Sequence, residues 1–84
     1  MTVNVTDFTL AEITRAARNV LGRPVTLTPA TDIARDLNVD SLALMNIVME
    51  LEDAFDVSIP LDRLAPVQTA GDLAALIVEL REKV

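Results

Sequence analysis

This sequence predicts an all-α fold, a small four-helix bundle made of three main helices and one short one. Apolar residues recur at the spacing of a helix face in three separate segments, and Ser, Thr or Asp stands where each segment needs a cap. The 84 residues are enough for one domain and not for two. Hydrophobic residues make up 51% of the chain, yet Phe8 and Phe55 are its only aromatics. A chain this short buries about 60 to 65% of its unfolded surface. Its core must therefore be economical and built from Leu, Ile, Val, Ala and Met, which repack readily.

In chain order, Thr9 and Glu12 have capping-box spacing, and Ile13, Ala16, Ala17, Val20 and Leu21 follow at helical intervals until Gly22. A first helix over residues 8 to 21 is expected. Residues 23 to 31 hold Pro24 and Pro29 among scattered Thr and Val, which suits an extended loop between helix ends. Asp40 or Ser41 caps a second helix running to about Phe55, before the β-favouring Val57, Ser58, Ile59 and Pro60. A short helical turn is expected at Leu61 to Leu64, stopped by Pro66. Thr69 with Asp72 then repeats the capping-box spacing, and Leu73, Leu76, Ile77 and Leu80 form the stripe of a last helix.

Composition removes whole classes of function. With no cysteine and no histidine, disulfides, common zinc sites and every Ser-His or Cys-His arrangement are absent, and the chain has no obvious nucleophile activated by its own base. A net charge of -6 disfavours nucleic acid, whose phosphates are read by Lys and Arg. It favours basic partners. The charge is concentrated: residues 32 to 62 hold eight acids and only Arg35, a net of -7. A solvated acidic surface that aids solubility is the bland explanation of such a run. The longest apolar run, LAALIV at residues 73 to 78, is far below the roughly 18 residues of a membrane span. MTVNVTDF lacks a basic segment followed by an apolar one, so a cytoplasmic location is expected.

The stretch DLNVDSL, residues 36 to 42, carries the functional question. Asp36, Asn38 and Asp40 fit the first three ligand positions of a calcium loop, but Ser41 stands where glycine makes the turn and Ile47 where a bidentate Glu closes the site. A serine hydrolase fails because no histidine can activate Ser41, and Lys83, the only lysine, is far along the chain. Simple helix capping by Asp40 and Ser41 would account for both residues.

The helix that follows adds a second signal. At 100° per residue, Leu44, Ile47, Val48, Leu51 and Phe55 form one core stripe. Leu42 and Met49 then point roughly opposite, beside Asn46 and Asp53, with Met45 at the flank. Three large apolar side chains rimmed by Glu50, Glu52 and Asp53 next to a helix-initiating serine have the character of a docking surface. A second packing face against the loop, or a homodimer, would use the same residues.

Residues 32 to 60, DIARDLNVDSLALMNIVMELEDAFDVSIP, resemble the core of acyl carrier proteins. In that family Asp, an apolar residue, Leu, Gly, any residue and Asp-Ser-Leu precede a helix; LEDAFDVSIP matches the continuation, and TAGDLAALI resembles the last helix. The resemblance implies a single acyl carrier domain over residues 1 to 84. It implies that a phosphopantetheinyl transferase attaches 4'-phosphopantetheine from coenzyme A to Ser41, flanked by Asp40 and Leu42, and that acyl groups ride on the arm's thiol. A phosphate at a helix N-terminus meets unpaired backbone N–H groups and the positive end of the helix dipole. The resemblance also implies an aliphatic interior that admits part of an acyl chain. Leu42, Met45, Asn46, Met49, Glu50, Glu52 and Asp53 would then meet acyl-transferring or chain-building enzymes with basic docking patches. A monomer is expected.

This chain departs from the family pattern at three positions. Asn38 replaces the usual glycine, which positive φ at Asn can accommodate in a stiffer loop. Ala43 and Asn46 stand where many fatty-acid carriers have acids. These departures favour a dedicated carrier of a specialised lipid or polyketide pathway. The alternatives are a general fatty-acid synthesis carrier, a less fitting peptidyl carrier, and an unmodified helical protein-interaction module.

Overall fold

The computed structural model describes residues 5 to 82 and contains five helices: α1 Val5–Leu21, α2 Ile33–Asp36, α3 Ser41–Phe55, α4 Leu61–Leu64 and α5 Ala70–Glu82. The three expected main helices and the short α4 are present. The single turn α2 is an addition to the four elements expected. Lys83 lies outside the described residues.

Helix α1 packs against both α3 and α5. The layer between them holds Ile13, Ala16 and Ala17 of α1, Ile47 and Leu51 of α3, and Leu73, Ala74 and Ile77 of α5, all buried. Alanines at 16, 17 and 74 let backbones approach, while the branched residues interlock; burying each large aliphatic chain contributes about 1.5–3 kcal/mol. Phe55 closes one end, with its ring edge-on to Phe8 at 6.3 Å between centroids and the Arg81 guanidinium 5.2 Å from its centroid.

The start of α1 differs from the expected capping box. Thr9 is fully buried inside the helix, and its Oγ1 donates to the Val5 carbonyl at 2.7 Å. Glu12 instead accepts from Arg15 Nε at 2.9 Å. A threonine one turn into a helix can satisfy its hydroxyl on the preceding turn, so the Thr-x-x-Glu spacing reflects two unrelated contacts. The other end is as expected: Gly22 takes φ 69°, and its N–H bonds to the Arg18 carbonyl at 2.9 Å. The box on α5 also forms, with Asp72 N–H donating to Thr69 Oγ1 at 3.0 Å and Thr69 N–H to Asp72 Oδ2 at 3.2 Å. The backbone N–H of Thr69, then that of Gln68, hold the Asp72 carboxyl below its ordinary value.

The crossing loop is fastened to the start of α5. Ala70 N–H donates to the Thr31 carbonyl at 2.8 Å, Gly71 N–H to Pro29 at 2.9 Å, and Ile33 N–H to Gln68 at 3.0 Å. Gly71 is required by proximity, since a Cβ there would sit 2.8 Å from the Pro29 oxygen. Gly71→Ala is therefore expected to destabilise the fold by about 1–3 kcal/mol, the usual range for overpacking. Urea denaturation measures it, and an unchanged midpoint would show that the fastening yields freely.

Candidate functional site

The approach to Ser41 is fixed by alternating burial. Leu37 and Val39 are buried while Asn38 and Asp40 are exposed, so the segment is anchored by two side chains and turns the other two outward. Helix α2 arises locally because Asp32 caps it, accepting from Arg35 N–H at 2.9 Å, while Asp36 Oδ2 accepts from Asp32 N–H at 2.8 Å. Its end is tied down by Val39 N–H to the Ala34 carbonyl, 3.1 Å, and by Arg23 Nη2 to the Leu37 carbonyl, 2.6 Å. Asn38 takes φ 54°, the left-handed turn that glycine usually supplies.

Asp40 is the N-cap of α3: its Oδ1 accepts from Ala43 N–H at 2.8 Å, and its carbonyl accepts from Leu44 N–H at 2.9 Å. Ser41 is the first residue of the helix and is exposed. Capping belongs to Asp40, which leaves the Ser41 hydroxyl available. The carboxylates of Asp36 and Asp40 both turn to backbone N–H groups instead of a shared centre, so the calcium pattern lacks a converging ligand set. Among the described residues no group of three or more Asp or Glu is placed to hold a metal ion.

The face of α3 divides as the helical wheel requires. Ile47, Val48, Leu51 and Phe55 are buried and Leu44 is half-buried against them. Leu42 is 72% exposed, Met49 58% and Met45 37%, with Asn46 and Asp53 also in solvent. Ala43 is half-buried against the core, so it sits away from this face. Two of the rim acids are engaged internally. Glu50 Oε1 accepts from Asn19 Nδ2 at 2.6 Å, with its Oε2 buried, and Glu52 Oε2 accepts from Ile59 N–H at 2.8 Å. Asp53 remains the exposed acid of the set. Leu61, at the start of α4, is a further exposed apolar residue at 66% that the wheel of α3 could not reveal.

Beside the start of α3 a cavity of about 230 Å³ is walled by Ile33, Ala34, Leu44, Leu64 and Val67. Asp32 and Gln68 add polar groups to its lining. Leu44 lies three residues beyond Ser41, roughly 4.5 Å further along the helix axis. An exposed hydroxyl on a capped helix start, with an apolar cavity adjoining, fits a phosphate-linked arm that bears an apolar cargo.

Comparison with known proteins bears on the same residues. Residues 11–77 match the family described as a phosphopantetheine attachment site. The chain is 65% identical over 79 residues to a probable acyl carrier protein of Caulobacter vibrioides, covering 94% of this chain and 92% of that relative. It is 36% identical over 74 residues to a meromycolate extension acyl carrier protein of Mycolicibacterium aurum, covering 88% and 74%. A solution NMR structure of holo acyl carrier protein from Geobacter metallireducens superposes with a TM-score of 0.80 at 31% identity, covering 89% of this chain and 87% of that one.

Proposed function

The chain belongs to the acyl carrier proteins, carriers and not enzymes that bear covalent 4'-phosphopantetheine, and we propose that Ser41 is the residue that carries the arm. The observation that supports this is the exposed Ser41 at the start of a helix already capped by Asp40. The serine hydroxyl supplies the oxygen of the phosphodiester. The free N–H groups and positive dipole end of the first turn of α3 favour the phosphate there. The arm supplies a terminal thiol on which acyl groups travel as thioesters. The domain comprises the whole of residues 1 to 84 and works as a monomer in the cytoplasm; no described helix is long and apolar enough to cross a membrane. Incubating the protein with coenzyme A and a broad-specificity phosphopantetheinyl transferase should add one phosphopantetheinyl mass. No gain would sink the assignment and leave the unmodified interaction module.

Partners dock on Leu42, Met45, Asn46, Met49 and Asp53 in this reading. Glu50 and Glu52 lend charge from the rim while holding Asn19 and the Ile59 amide. The pathway is a specialised lipid or polyketide one, supported by the absence of any acid in the first turn of α3 and by likeness to meromycolate extension carriers. Charge at Asn46 tests it. An exposed ion pair contributes about 0.2–1 kcal/mol, so Asn46→Glu should raise malonyl transfer from malonyl-coenzyme A by a general malonyltransferase up to about fivefold at low salt. The gain should shrink as salt rises. Equally fast transfer to wild type and variant would favour the general fatty-acid carrier.

A further inference from the structure

We propose that Met45 and Met49 form a paired oxidation site, and that converting their thioethers to sulfoxides with hydrogen peroxide closes the docking face of α3 while leaving the fold intact. This rests on the arm standing on Ser41 and on partners covering that face. The two methionines lie one helical turn apart on α3, about 6 Å along its axis, and Met45 lies one turn beyond Ser41. Both are exposed, Met49 more than Met45. An enzyme that docks on this face covers both sulfur atoms.

Composition and burial confine the chemistry to this face. The chain has no Cys, His, Trp or Tyr, and its only sulfur atoms are those of Met1, Met45 and Met49. Met1 lies outside the described residues. The buried core consists of Leu, Ile, Val, Ala and Phe with Thr9, and neither Met45 nor Met49 belongs to it or packs against it. Peroxide is uncharged, so a protein of net charge -6 does not repel it. In the reaction a sulfur lone pair attacks one peroxide oxygen, and the S–O bond forms as the O–O bond breaks. The departing hydroxide takes the proton left on the sulfur-bound oxygen and leaves as water. Sulfur is thereby oxidised and peroxide reduced. The product replaces a flexible apolar side chain with a polar, chiral one. Its oxygen is hydrated on the free protein and loses that water when an apolar partner surface covers it, so the adaptability that suits methionine to docking is reversed.

The test treats the full chain, before any arm is attached, with hydrogen peroxide, removes the peroxide with catalase, and then supplies coenzyme A and the broad-specificity transferase. Peptide mass mapping places the oxygens gained; kcat/KM for arm attachment and melting temperature are then read. Wild type oxidised at both positions should lose about 10- to 100-fold in kcat/KM against untreated protein. Its melting temperature should stay within about 3 °C. Methionine sulfoxide reductases specific for each epimer, with a thiol reductant, should restore the rate. The double variant Met45→Leu, Met49→Leu, compared with its own untreated form, should lose nothing on treatment, since leucine has no sulfur to oxidise. Failure of untreated wild type to accept the arm overturns the reading of Ser41 and this proposal with it. Treated wild type modified as fast as untreated, or mapping that finds no oxygen on Met45 or Met49, overturns this proposal alone. An equal loss in the double variant overturns the assignment to these two methionines, and a loss accompanied by collapse of the melting transition overturns the separation of docking from fold.

Discussion

Ser41→Ala is expected to abolish the phosphopantetheinyl mass gain while leaving the fold as stable as wild type. Both halves follow from the division of labour at the start of α3. The cap hydrogen bond to Ala43 N–H comes from Asp40, not from Ser41, and alanine is the best residue for the interior of a helix. An exposed substitution of this kind changes stability by no more than about 0.5 kcal/mol. The chemical loss is complete, because no other atom at that position can form the phosphodiester. Asp40→Ala should do the reverse: it keeps the hydroxyl but costs about 1 kcal/mol of helix stability. Ser58 is the only other serine, and it is exposed in the stretch between α3 and α4, ahead of the α4 N-cap Pro60 and not at the first position of a helix. Modification of Ser41→Ala at Ser58, read by peptide mass mapping, would overturn the assignment.

What the sequence could reveal depended on whether the cause was local. The stripes of α1, α3 and α5 were legible because burial of one face imposes a helical period over several turns. The Thr69 and Asp72 box was legible because both partners lie within one turn. Thr9 and Glu12 share that spacing but sit inside α1, where Thr9 is buried and bonded to Val5; a pattern of four residues cannot tell a helix start from its second turn. Helix α2 escaped although its cause is local: like α4 it is a single turn with no period to detect, and no proline marks its ends as Pro60 and Pro66 mark those of α4. Asn38 tolerates a left-handed turn by residue type alone, and it adopts one at φ 54°. The engagement of Glu50 could not be seen at all, since its partner Asn19 lies on another helix 31 residues away. That of Glu52 depends on how the chain after α3 folds back to bring the Ile59 amide to it.

Those two glutamates separate docking from stability, and Leu42 is the residue on which the docking reading stands or falls. Leu42 is 72% exposed, directly follows Ser41, and belongs neither to the core nor to the residues packed against it. Any enzyme acting at Ser41 must cover it. A central apolar anchor at an interface costs 2 kcal/mol or more when truncated, so Leu42→Ala should lower kcat/KM with the phosphopantetheinyl transferase by about 30-fold. Its melting temperature should stay that of wild type. Glu52→Ala should behave in the opposite way: it strips the acceptor from the N–H of buried Ile59, and an unsatisfied buried donor costs about 1–3 kcal/mol. Glu52→Gln, which keeps an acceptor oxygen, should restore most of that stability. If Glu52→Gln slowed modification as much as Leu42→Ala did, the charge of Glu52 would be the recognised feature. If Leu42→Ala were modified at the wild-type rate, the exposed apolar face of α3 would not be where the transferase binds.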